Sequence, residues 1–545
     1  MIHLSAEQIA FPTLTDEQMR CVAQLATEQV FEDGQPLFTV GQKDYSLYVV
    51  RSGEVDIVDT SSEPARRIVT HGPRAFVGDI DVLTGRPAVV SALAKGRTEV
   101  LTVTHCKVRR LLNDVPDLSE VLLEAFQMRR RMLEASGFVG VRVIGAAHSR
   151  ESLALQEFFY RNHVPHTFFD ASLPEGAEQL ERLGCNADDL PVVACREHVV
   201  RKPALGKIAE CLGISRRIDH TRYDLVIVGA GPAGLAAAVY AASEGLKTLV
   251  IDQVGPGGQA GSSSKIENFI GFPSGLSGAE LANRGYLQAL KFGACFTAPV
   301  AVSAVRQGDE GEHLLDLCTG QTARARCVLV ATGVSYRRLD IAGIREFEGA
   351  GVYYAATSVE SRVCRDSTAV VVGGGNSAGQ AAMFLAQHAQ RVQIVVRGDD
   401  LSKSMAAYLC NRIRRHDRID VVYNTQVERV LGEKHVEQVE LRDSATGAAT
   451  RTRCAGLFLF IGARPHSAWL PEQVRRDEKG FLVTGADAGR DELWPLDRQP
   501  CELETTCPGI LAAGDVRSGT TKRCGFAVGD GSLAIACAHR YLGGL

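Results

Sequence analysis

One stretch of the sequence, residues 223–252, constrains the fold more than any other. An apolar run over residues 225–228 ends at Gly229, Gly231 and Gly234, and helix-forming residues lead from there to a second apolar run. This order predicts a strand, a tight turn, a helix and a second strand. The three glycines suit a turn, the close approach of backbone amides to a pyrophosphate, and tight packing of the helix on the sheet. We therefore predict a dinucleotide-binding βαβ unit.

Asp252 follows the second apolar run of this unit. A carboxylate at the end of that strand can accept hydrogen bonds from the hydroxyls of a ribose. The helix that begins near Pro232 would direct its partly positive N-terminus at the phosphates. Asp252 and the glycines together predict where the nucleotide binds.

Length and charge restrict the remaining possibilities. A chain of 545 residues is too long for one core and should form three or four domains. The formal net charge of −4 does not indicate a basic surface that would bind nucleic acid or a polybasic patch that would bind a membrane. We find neither a signal-peptide pattern near Met1 nor a run of about 18 apolar residues, so we expect a soluble, cytoplasmic protein.

The chain has 15 cysteines, but no two have the spacing Cys-x-x-Cys and none cluster with histidines. Neither a zinc site nor a paired redox dithiol therefore has a signature in the sequence, and we predict no metal site. Most of the cysteines are expected to be small buried hydrophobic residues in a reducing compartment.

Residues 1–137 show short apolar runs separated by turn signals, which predict an all-β jelly roll. With the glycines near residues 41 and 53, the segment 76–87 and the helices expected over 111–134, this region resembles the cyclic nucleotide-binding domain. In that family a glycine and an acid hold the ribose, and Gly78 and Asp79 match this pair.

The phosphate-binding pair of that family, an arginine followed by serine or threonine, is absent here. Ala88 and Val89 follow Pro87, and Arg86 could replace the missing cation only if its side chain turned inward. A buried phosphate without a cation would cost several kcal/mol, on the order of 2–7 for an unpaired polar group. We favour a module that keeps the fold for docking or dimerisation, with a working cyclic nucleotide sensor as the alternative.

Residues 138–219 alternate strand and helix patterns, which predict a small α/β domain. Their order resembles the thioredoxin or glutaredoxin fold, with Pro191 at the position of that family's cis-proline. The segment 145–150, where Cys-x-x-Cys would lie, contains no cysteine, and Cys185 and Cys195 fall elsewhere. A structural or docking role is the better prediction for this domain.

A second fingerprint follows an apolar run at residues 368–372. Gly373, Gly375 and Ala378 fit the pattern G-x-G-x-x-A, but the position that corresponds to the acid of the first fingerprint is Val396, and Arg397 follows it. The lack of an acid at the end of this strand, together with an adjacent guanidinium, favours a 2′-phosphate, hence NADPH over NADH. The pair 399–400, two aspartates, argues weakly the other way.

Two nucleotide-binding folds, one inserted in the other, resemble the thioredoxin reductase family of flavoproteins. The resemblance covers about 320 residues and implies an FAD-binding domain over 220–337 and 460–545 and an NAD(P)H-binding domain over 338–459. It implies FAD at Gly229, Gly231, Pro232, Ala233, Gly234, Asp252, Gln253, Gly258, Gln259, Asn268, Ala331, Thr332, Gly333, Gly514, Asp515 and Cys524. It implies NADPH at Gly373, Gly375, Asn376, Ser377, Ala378 and Arg397.

The chain departs from that family at its reactive dithiol, because Ala355 and Ser358 occupy the two cysteine positions. A serine forms no disulfide and is not a thiolate at neutral pH. Cys524 aligns with a segment near the flavin, and a position at a helix N-terminus should lower the pKa of its thiol. It is the one sequence candidate for a redox cysteine.

The resemblance implies that hydride passes from NADPH to the flavin. Our first hypothesis is an NADPH oxidoreductase whose reduced flavin gives electrons directly to a small molecule or a carrier protein. The second is a flavin redox sensor or scaffold regulated through the N-terminal domain, and the third is a true thioredoxin reductase. A homodimer is implied by the resemblance alone.

Overall fold

The computed structural model describes residues 5–60, 65–135, 140–147, 149–195, 198–215, 218, 222–263, 266, 268–309, 311–348, 350–354, 356 and 358–543. Separate sheets divide the chain into an N-terminal domain, a middle domain and a C-terminal region, which contains a seven-stranded mixed sheet and a five-stranded parallel sheet. None of the helices in these described ranges is long and apolar enough to cross a membrane.

The N-terminal domain is built on an antiparallel sheet of order β1-β6-β3-β4, with β2 paired to β6 and β5 to β3. Its core is closed by the last two helices, where Phe126 packs edge-on against Phe76. The predicted β-rich fold, followed by helices, is confirmed for this region. Its elements are α1 (Ala6–Ala10), α2 (Asp16–Leu25), β1 (Thr27–Phe31), β2 (Pro36–Phe38), β3 (Leu47–Asp59), β4 (Arg66–His71), β5 (Phe76–Val77), α3 (Asp81–Thr84), β6 (Ser91–Val103), α4 (His105–Asp114) and α5 (Pro116–Ala135).

The middle domain has a four-stranded sheet of order β10-β9-β7-β8, in which only β7 and β8 run parallel. The peptide bond between Leu190 and Pro191 is cis, as the resemblance implied. Its elements are β7 (Val141–Gly145), α6 (Arg150–Arg161), β8 (His166–Asp170), α7 (Pro174–Arg182), β9 (Val192–Cys195), β10 (His198–Arg201) and α8 (Leu205–Cys211).

The first predicted fingerprint forms the centre of the next sheet, of order β13-β12-β11-β16-β15-β14. Strands β11, β12, β13 and β16 pair in parallel. The apolar runs at 225–228, 249–251 and 327–330 are buried throughout, as expected for strands covered on both faces. The elements are β11 (Arg222–Val228), α9 (Pro232–Ser243), β12 (Thr248–Ile251), α10 (Gly278–Phe292), β13 (Cys295–Thr297), β14 (Val302–Gln307), β15 (His313–Leu317), β16 (Thr322–Val330) and β17 (Val334–Tyr336).

The second fingerprint lies in a parallel sheet of order β18-β25-β19-β20-β21, beside an antiparallel sheet β22-β23-β24. These sheets are made by one continuous segment inserted into the first nucleotide fold. The elements are β18 (Val352–Tyr353), α11 (Ser358–Val363), β19 (Thr368–Val372), α12 (Asn376–Leu385), β20 (Arg391–Val395), α13 (Ala407–Arg414), β21 (Ile419–Val422), β22 (Thr425–Leu431), β23 (Gln438–Asp443), β24 (Ala449–Arg453) and β25 (Gly456–Leu459).

The chain then returns to the first fold through β26, which pairs antiparallel with β17, so that the two crossover segments are joined side by side. Strand β27 adds to β16 of the first sheet. The elements are β26 (Ala463–Pro465), α14 (Ala486–Gly489), β27 (Ile510–Ala512) and α15 (Cys524–Gly543).

One pair of cysteines departs from the sequence prediction. Cys501 and Cys537 form a disulfide, although 36 positions separate them in the sequence. A rule based on the spacing of cysteines in the sequence could not identify this pair, because only the tertiary fold brings the loop that contains Cys501 against α15. Cys501, Glu502 and Cys537 also cluster closely enough to hold a metal, but the disulfide already uses both sulfur atoms.

The domains pack against one another through residues of the first nucleotide fold. Leu287 of α10 belongs to the hydrophobic core of the N-terminal domain, and Ala298 belongs to that of the middle domain. Arg131 pairs with Glu280 at 3.3 Å across the first of these junctions. The predicted domain boundaries, at 137–138 and 219–220, lie outside the described residues.

Candidate cofactor site

A cavity of about 600 Å³ opens where β11, β12 and β16 end. Gly229, Asp252 and Ala331 line it from these strand ends. The opposite side is lined from the inserted segment, with Ser377 at the start of α12. The cavity therefore lies between the two nucleotide folds, at the carboxyl ends of parallel strands, which is where open α/β sheets bind their ligands.

The three fingerprint glycines have different physical reasons to be glycine. A Cβ on Gly229, whose φ is +108°, would lie 2.4 Å from the backbone oxygen of Ala331, and a Cβ on Gly234 would lie 1.9 Å from the oxygen of Gly229. A Cβ on Gly231 would come no closer than 3.8 Å to the protein, at the Cα of Gly258. Gly229 and Gly234 are thus required by the fold, whereas Gly231 keeps space open in the cavity.

Asp252 lies in the predicted place, directly after β12, and both of its carboxylate oxygens accept backbone amides. Oδ2 accepts from Ala230 at 2.8 Å, while Oδ1 accepts from Val254 at 2.9 Å and from Gly255 at 2.8 Å. The carboxylate therefore joins the fingerprint turn to the loop after β12. Its contact with a ribose remains a prediction.

A short 3₁₀ turn over Gly514–Val516 forms another wall. Asp515 lines the cavity, and burial raises the pKa of its carboxyl group, while nearby Lys522 counteracts the rise. Burial in turn lowers the pKa of the Lys522 ammonium. The turn is fixed by Asp530, which accepts from the backbone of Gly514 at 3.0 Å.

Most of the predicted flavin residues line this one cavity. Gln259 is held by a hydrogen bond from its Nε2 to the backbone oxygen of Val334, and Asn268 is exposed at the rim. Gly234 packs the helix instead of lining the cavity. The predicted residues that line the cavity are Gly229, Gly231, Pro232, Ala233, Asp252, Gln253, Gly258, Gln259, Asn268, Ala331, Thr332, Gly333, Gly514, Asp515 and Cys524.

Of the residues predicted for NADPH, Asn376 and Ser377 line the same cavity. The Oδ1 atom of Asn376 accepts from the backbone of Ala406 at 2.7 Å, which ties the start of α12 to the segment before α13. Gly373 (φ +135°), Gly375 and Ala378 form the turn and first helical positions rather than the cavity wall. The second fingerprint thus faces the site of the first.

Arg397 is exposed after β20 and does not line this cavity. The two aspartates that argued against NADPH are engaged by cations. Asp399 pairs with Lys403 at 2.6 Å, and Asp400 pairs with Arg414 at 3.3 Å. The carboxylates near Arg397 are therefore neutralised by partners of their own.

The positions of the missing dithiol are only partly covered by the structure. Ala355 lies outside the described residues. Ser358 is the first residue of α11, and the structure does not describe its side chain. Cys524 lines the cavity, but burial, followed by the charge of Asp515, raises the pKa of its thiol to about 11. The direction is opposite to the predicted lowering of this pKa, because burial disfavours the charged thiolate.

In the N-terminal domain, the acid that matches the ribose-binding acid of the cyclic nucleotide-binding family is Asp79, and its carboxylate is already paired. Asp79 accepts from Arg130 at 3.0 Å and from the hydroxyl of Tyr45, and Arg130 also binds Asp81 at 2.7 Å. Arg86 does not replace the missing phosphate ligand: its Nη1 donates to the backbone oxygen of Asn162 in the middle domain.

Several residues around the cavity were not predicted from the sequence. Lys522 and Arg523 adjoin Cys524 in the sequence, so their position was detectable. The others follow no motif and reach the cavity through tertiary packing alone. They include Arg161, Gln380, Tyr408, Phe460, His466 and Trp469.

Comparisons with known proteins agree with this geometry. Residues 223–531 match the pyridine nucleotide-disulphide oxidoreductase model, and residues 28–114 match the cyclic nucleotide-binding domain model. The thioredoxin reductase of Treponema pallidum (strain Nichols) is 36% identical over 324 residues, which are 59% of this chain and 98% of that protein.

Two further relatives cover the same region. The thioredoxin reductase of Bacillus subtilis (strain 168) is 33% identical over 322 residues, 59% of this chain and 95% of that protein. The crystal structure of Lactococcus lactis thioredoxin reductase in its FR conformation superposes with a TM-score of 0.53 at 28% identity, covering 59% of this chain and 100% of that one.

Proposed function

This chain belongs to the pyridine nucleotide-disulphide oxidoreductase family and is an FAD-containing NAD(P)H oxidoreductase of the thioredoxin reductase-like kind, and from that premise we propose what it does. It transfers electrons from NADPH, through the flavin site, directly to a small-molecule or carrier-protein acceptor. No thiol pair takes part in the transfer.

The observation that carries this proposal is the state of the cysteines at the cavity. Cys524 is the only cysteine among the described residues that line it, and a thiol with a pKa of about 11 is protonated at neutral pH. The two positions that would hold a dithiol are alanine and serine in the sequence. A single protonated thiol cannot form the disulfide that a two-electron relay needs.

The residues present fit FAD. The cavity volume of about 600 Å³ is within the range of cofactor sites, and Gly231 and Gly258 face each other with no side chain between them. The N-terminus of α9 and the Gly231 backbone would hold the pyrophosphate, and Asp515 would accept from the ribityl chain. When bound, FAD supplies the two-electron chemistry.

NADPH is the proposed reductant because Arg397 is exposed after β20 while its acidic neighbours are paired elsewhere. A guanidinium at that position can bind a 2′-phosphate. Asn376 and Ser377, which line the flavin cavity, would place the nucleotide at the same site.

Stopped-flow mixing of the holoenzyme with NADPH, followed by an acceptor, tests this function. We expect rapid bleaching of the flavin and rapid reoxidation by at least one of ferredoxin, a quinone or a low-molecular-weight disulfide. Bleaching with reoxidation by oxygen only, and slowly, would instead support a redox sensor. A protein without bound flavin, or one that NADPH does not bleach, would overturn the proposal.

The sensor remains a second candidate because a chain of direct hydrogen bonds joins the N-terminal domain to the fingerprint turn, from Arg86 through Asn162 and Val254 to Asp252. A third is a thioredoxin reductase, the name carried by the curated relatives. Reduction of insulin through thioredoxin above the rate without enzyme would support this third function and contradict the first.

A further inference from the structure

The middle domain reaches the cofactor cavity through the end of its first helix. Arg161, the last residue of α6, lines the cavity together with Asp252 and Gln253. Its side chain is 16% exposed and pairs with Glu157, one turn earlier, at 2.6 Å. A guanidinium from a separate domain is thus held at the wall of the flavin site.

The next residue, Asn162, is buried and binds the loop after β12. Its Nδ2 donates to the backbone oxygen of Val254 at 2.8 Å and to that of Phe158 at 2.9 Å. The contact is close, because a Cβ on Gly255 would lie 2.6 Å from this nitrogen. Asp252 accepts the amides of the same two loop residues, so the loop is held from both sides.

The position in the fold indicates which part of FAD lies here. In a dinucleotide-binding unit the residue after the second strand faces the ribose of the adenosine half, and Asp252 is that residue. Arg161 therefore borders the adenosine diphosphate half, which carries the two phosphate charges. A planar guanidinium is well suited to bind phosphate and ribose oxygens.

We propose that the middle domain forms the adenosine-side wall of the FAD site. Arg161 binds the adenosine diphosphate half, and Asn162 acts as a positioning residue that fixes the 253–255 loop. This inference rests on the proposed function, since it takes FAD as the cofactor. Binding of FAD through Arg161 and Asn162 is a function of the dithiol-free middle domain that requires no redox chemistry.

Titration of FAD into apo-protein, followed by flavin fluorescence, tests Arg161. We expect Arg161→Ala to weaken FAD binding about tenfold, which corresponds to about 1.4 kcal/mol, and Arg161→Lys to weaken it less. The matched control is Arg182→Ala, which removes an arginine from an equivalent pair with Glu178 on α7, away from the cavity. It should leave FAD affinity unchanged.

A second readout separates a direct contact from a loss of stability. If Arg161 binds phosphate, the FAD dissociation constant of Arg161→Ala should depend less on salt than that of the wild type, while Arg161→Lys keeps the dependence. Asn162→Ala should weaken FAD binding about fivefold and leave the salt dependence intact, because it moves the loop without removing a charge.

The outcomes are distinguishable. If the wild type binds FAD and Arg161→Ala binds it within twofold, or with the same salt dependence, the inference is wrong and the proposed function stands. If the wild type binds no FAD, the proposed function itself fails. Equal loss of affinity in Arg161→Ala and Arg182→Ala would also overturn the inference.

Discussion

The Nη1 atom of Arg86 donates a hydrogen bond of 2.6 Å to the backbone oxygen of Asn162. Arg86 belongs to the segment that resembles a phosphate-binding loop, yet its guanidinium serves a junction between domains. A second contact, 3.4 Å from its Nη2 to the hydroxyl of Tyr286, extends this junction to the first nucleotide fold. Arg86 therefore joins all three parts of the chain.

Replacing Arg86 by alanine should loosen this junction. A hydrogen bond from a charged donor contributes about 1.5–3 kcal/mol, so we expect a loss of that order in the free energy of unfolding measured in urea. Arg97→Ala is the control in the same domain, because Arg97 pairs with Glu99 at the surface. It should change stability by less than about 1 kcal/mol. Equal effects of the two substitutions would show that Arg86 has no special role.

Cyclic nucleotides should not bind the N-terminal domain. The carboxylate of Asp79 is already occupied by Arg130 and Tyr45, and Ala88 and Val89 offer the phosphate neither charge nor hydroxyl. Calorimetric titration of the full chain with cyclic AMP and cyclic GMP should give no binding heat, whereas a cyclic nucleotide-binding protein measured alongside should. Micromolar affinity for either nucleotide would contradict this prediction.

Substitution of Gly231 by alanine should remove FAD without unfolding the protein. Gly231 has φ −73°, which alanine adopts freely, and the added Cβ would find no protein atom closer than 3.8 Å. The methyl group would instead occupy space that the pyrophosphate needs. We expect at least a tenfold weaker FAD affinity and an unchanged melting temperature of the apo-protein.

The matched control for this substitution is Gly206→Ala in α8, where a Cβ would meet no atom within 4 Å. It should raise helix stability slightly, by up to about 1 kcal/mol, and leave FAD binding intact. Normal FAD affinity in Gly231→Ala would rule out the assignment of the fingerprint turn to the pyrophosphate.

Arg397→Ala should change the choice of nucleotide. If Arg397 binds the 2′-phosphate, its loss should raise the KM for NADPH about tenfold or more and leave the KM for NADH unchanged. Arg391→Ala, at the other end of β20 and paired with Asp420, serves as the control. A similar rise in both KM values would assign Arg397 to a structural role.

Cys524→Ser should retain turnover with whichever of ferredoxin, a quinone or a low-molecular-weight disulfide reoxidises the wild-type flavin. Because the pKa of the thiol is raised to about 11, the thiolate is present only as pH approaches that value, and at pH 7 its share is on the order of one in ten thousand. We expect the kcat of the variant to stay within twofold of the wild type between pH 6 and 8. A loss of a hundredfold or more would identify Cys524 as a redox group after all.

Much of the site could be predicted from local sequence. Strand, glycine turn, helix and acid lie within 30 residues at Tyr223 to Asp252, so their geometry follows from backbone constraints that short spacing preserves. The positions of Gly231 and Ser377 at the cavity follow in the same way. The acid was placed correctly, but its three backbone partners were not foreseen, because they depend on how the loop after β12 folds.

What the sequence by itself determined was the arrangement of two nucleotide folds and the absence of any Cys-x-x-Cys spacing, since both can be identified from short patterns and residue identities. Only the tertiary structure decided the pairing of Cys501 with Cys537, the raised pKa of Cys524 and the approach of Arg161 to the cofactor cavity. The disulfide, the pKa and the position of Arg161 each depend on which distant segments exclude water from a side chain or bring a partner to it. The spacing of residues along the chain does not indicate which segments these are.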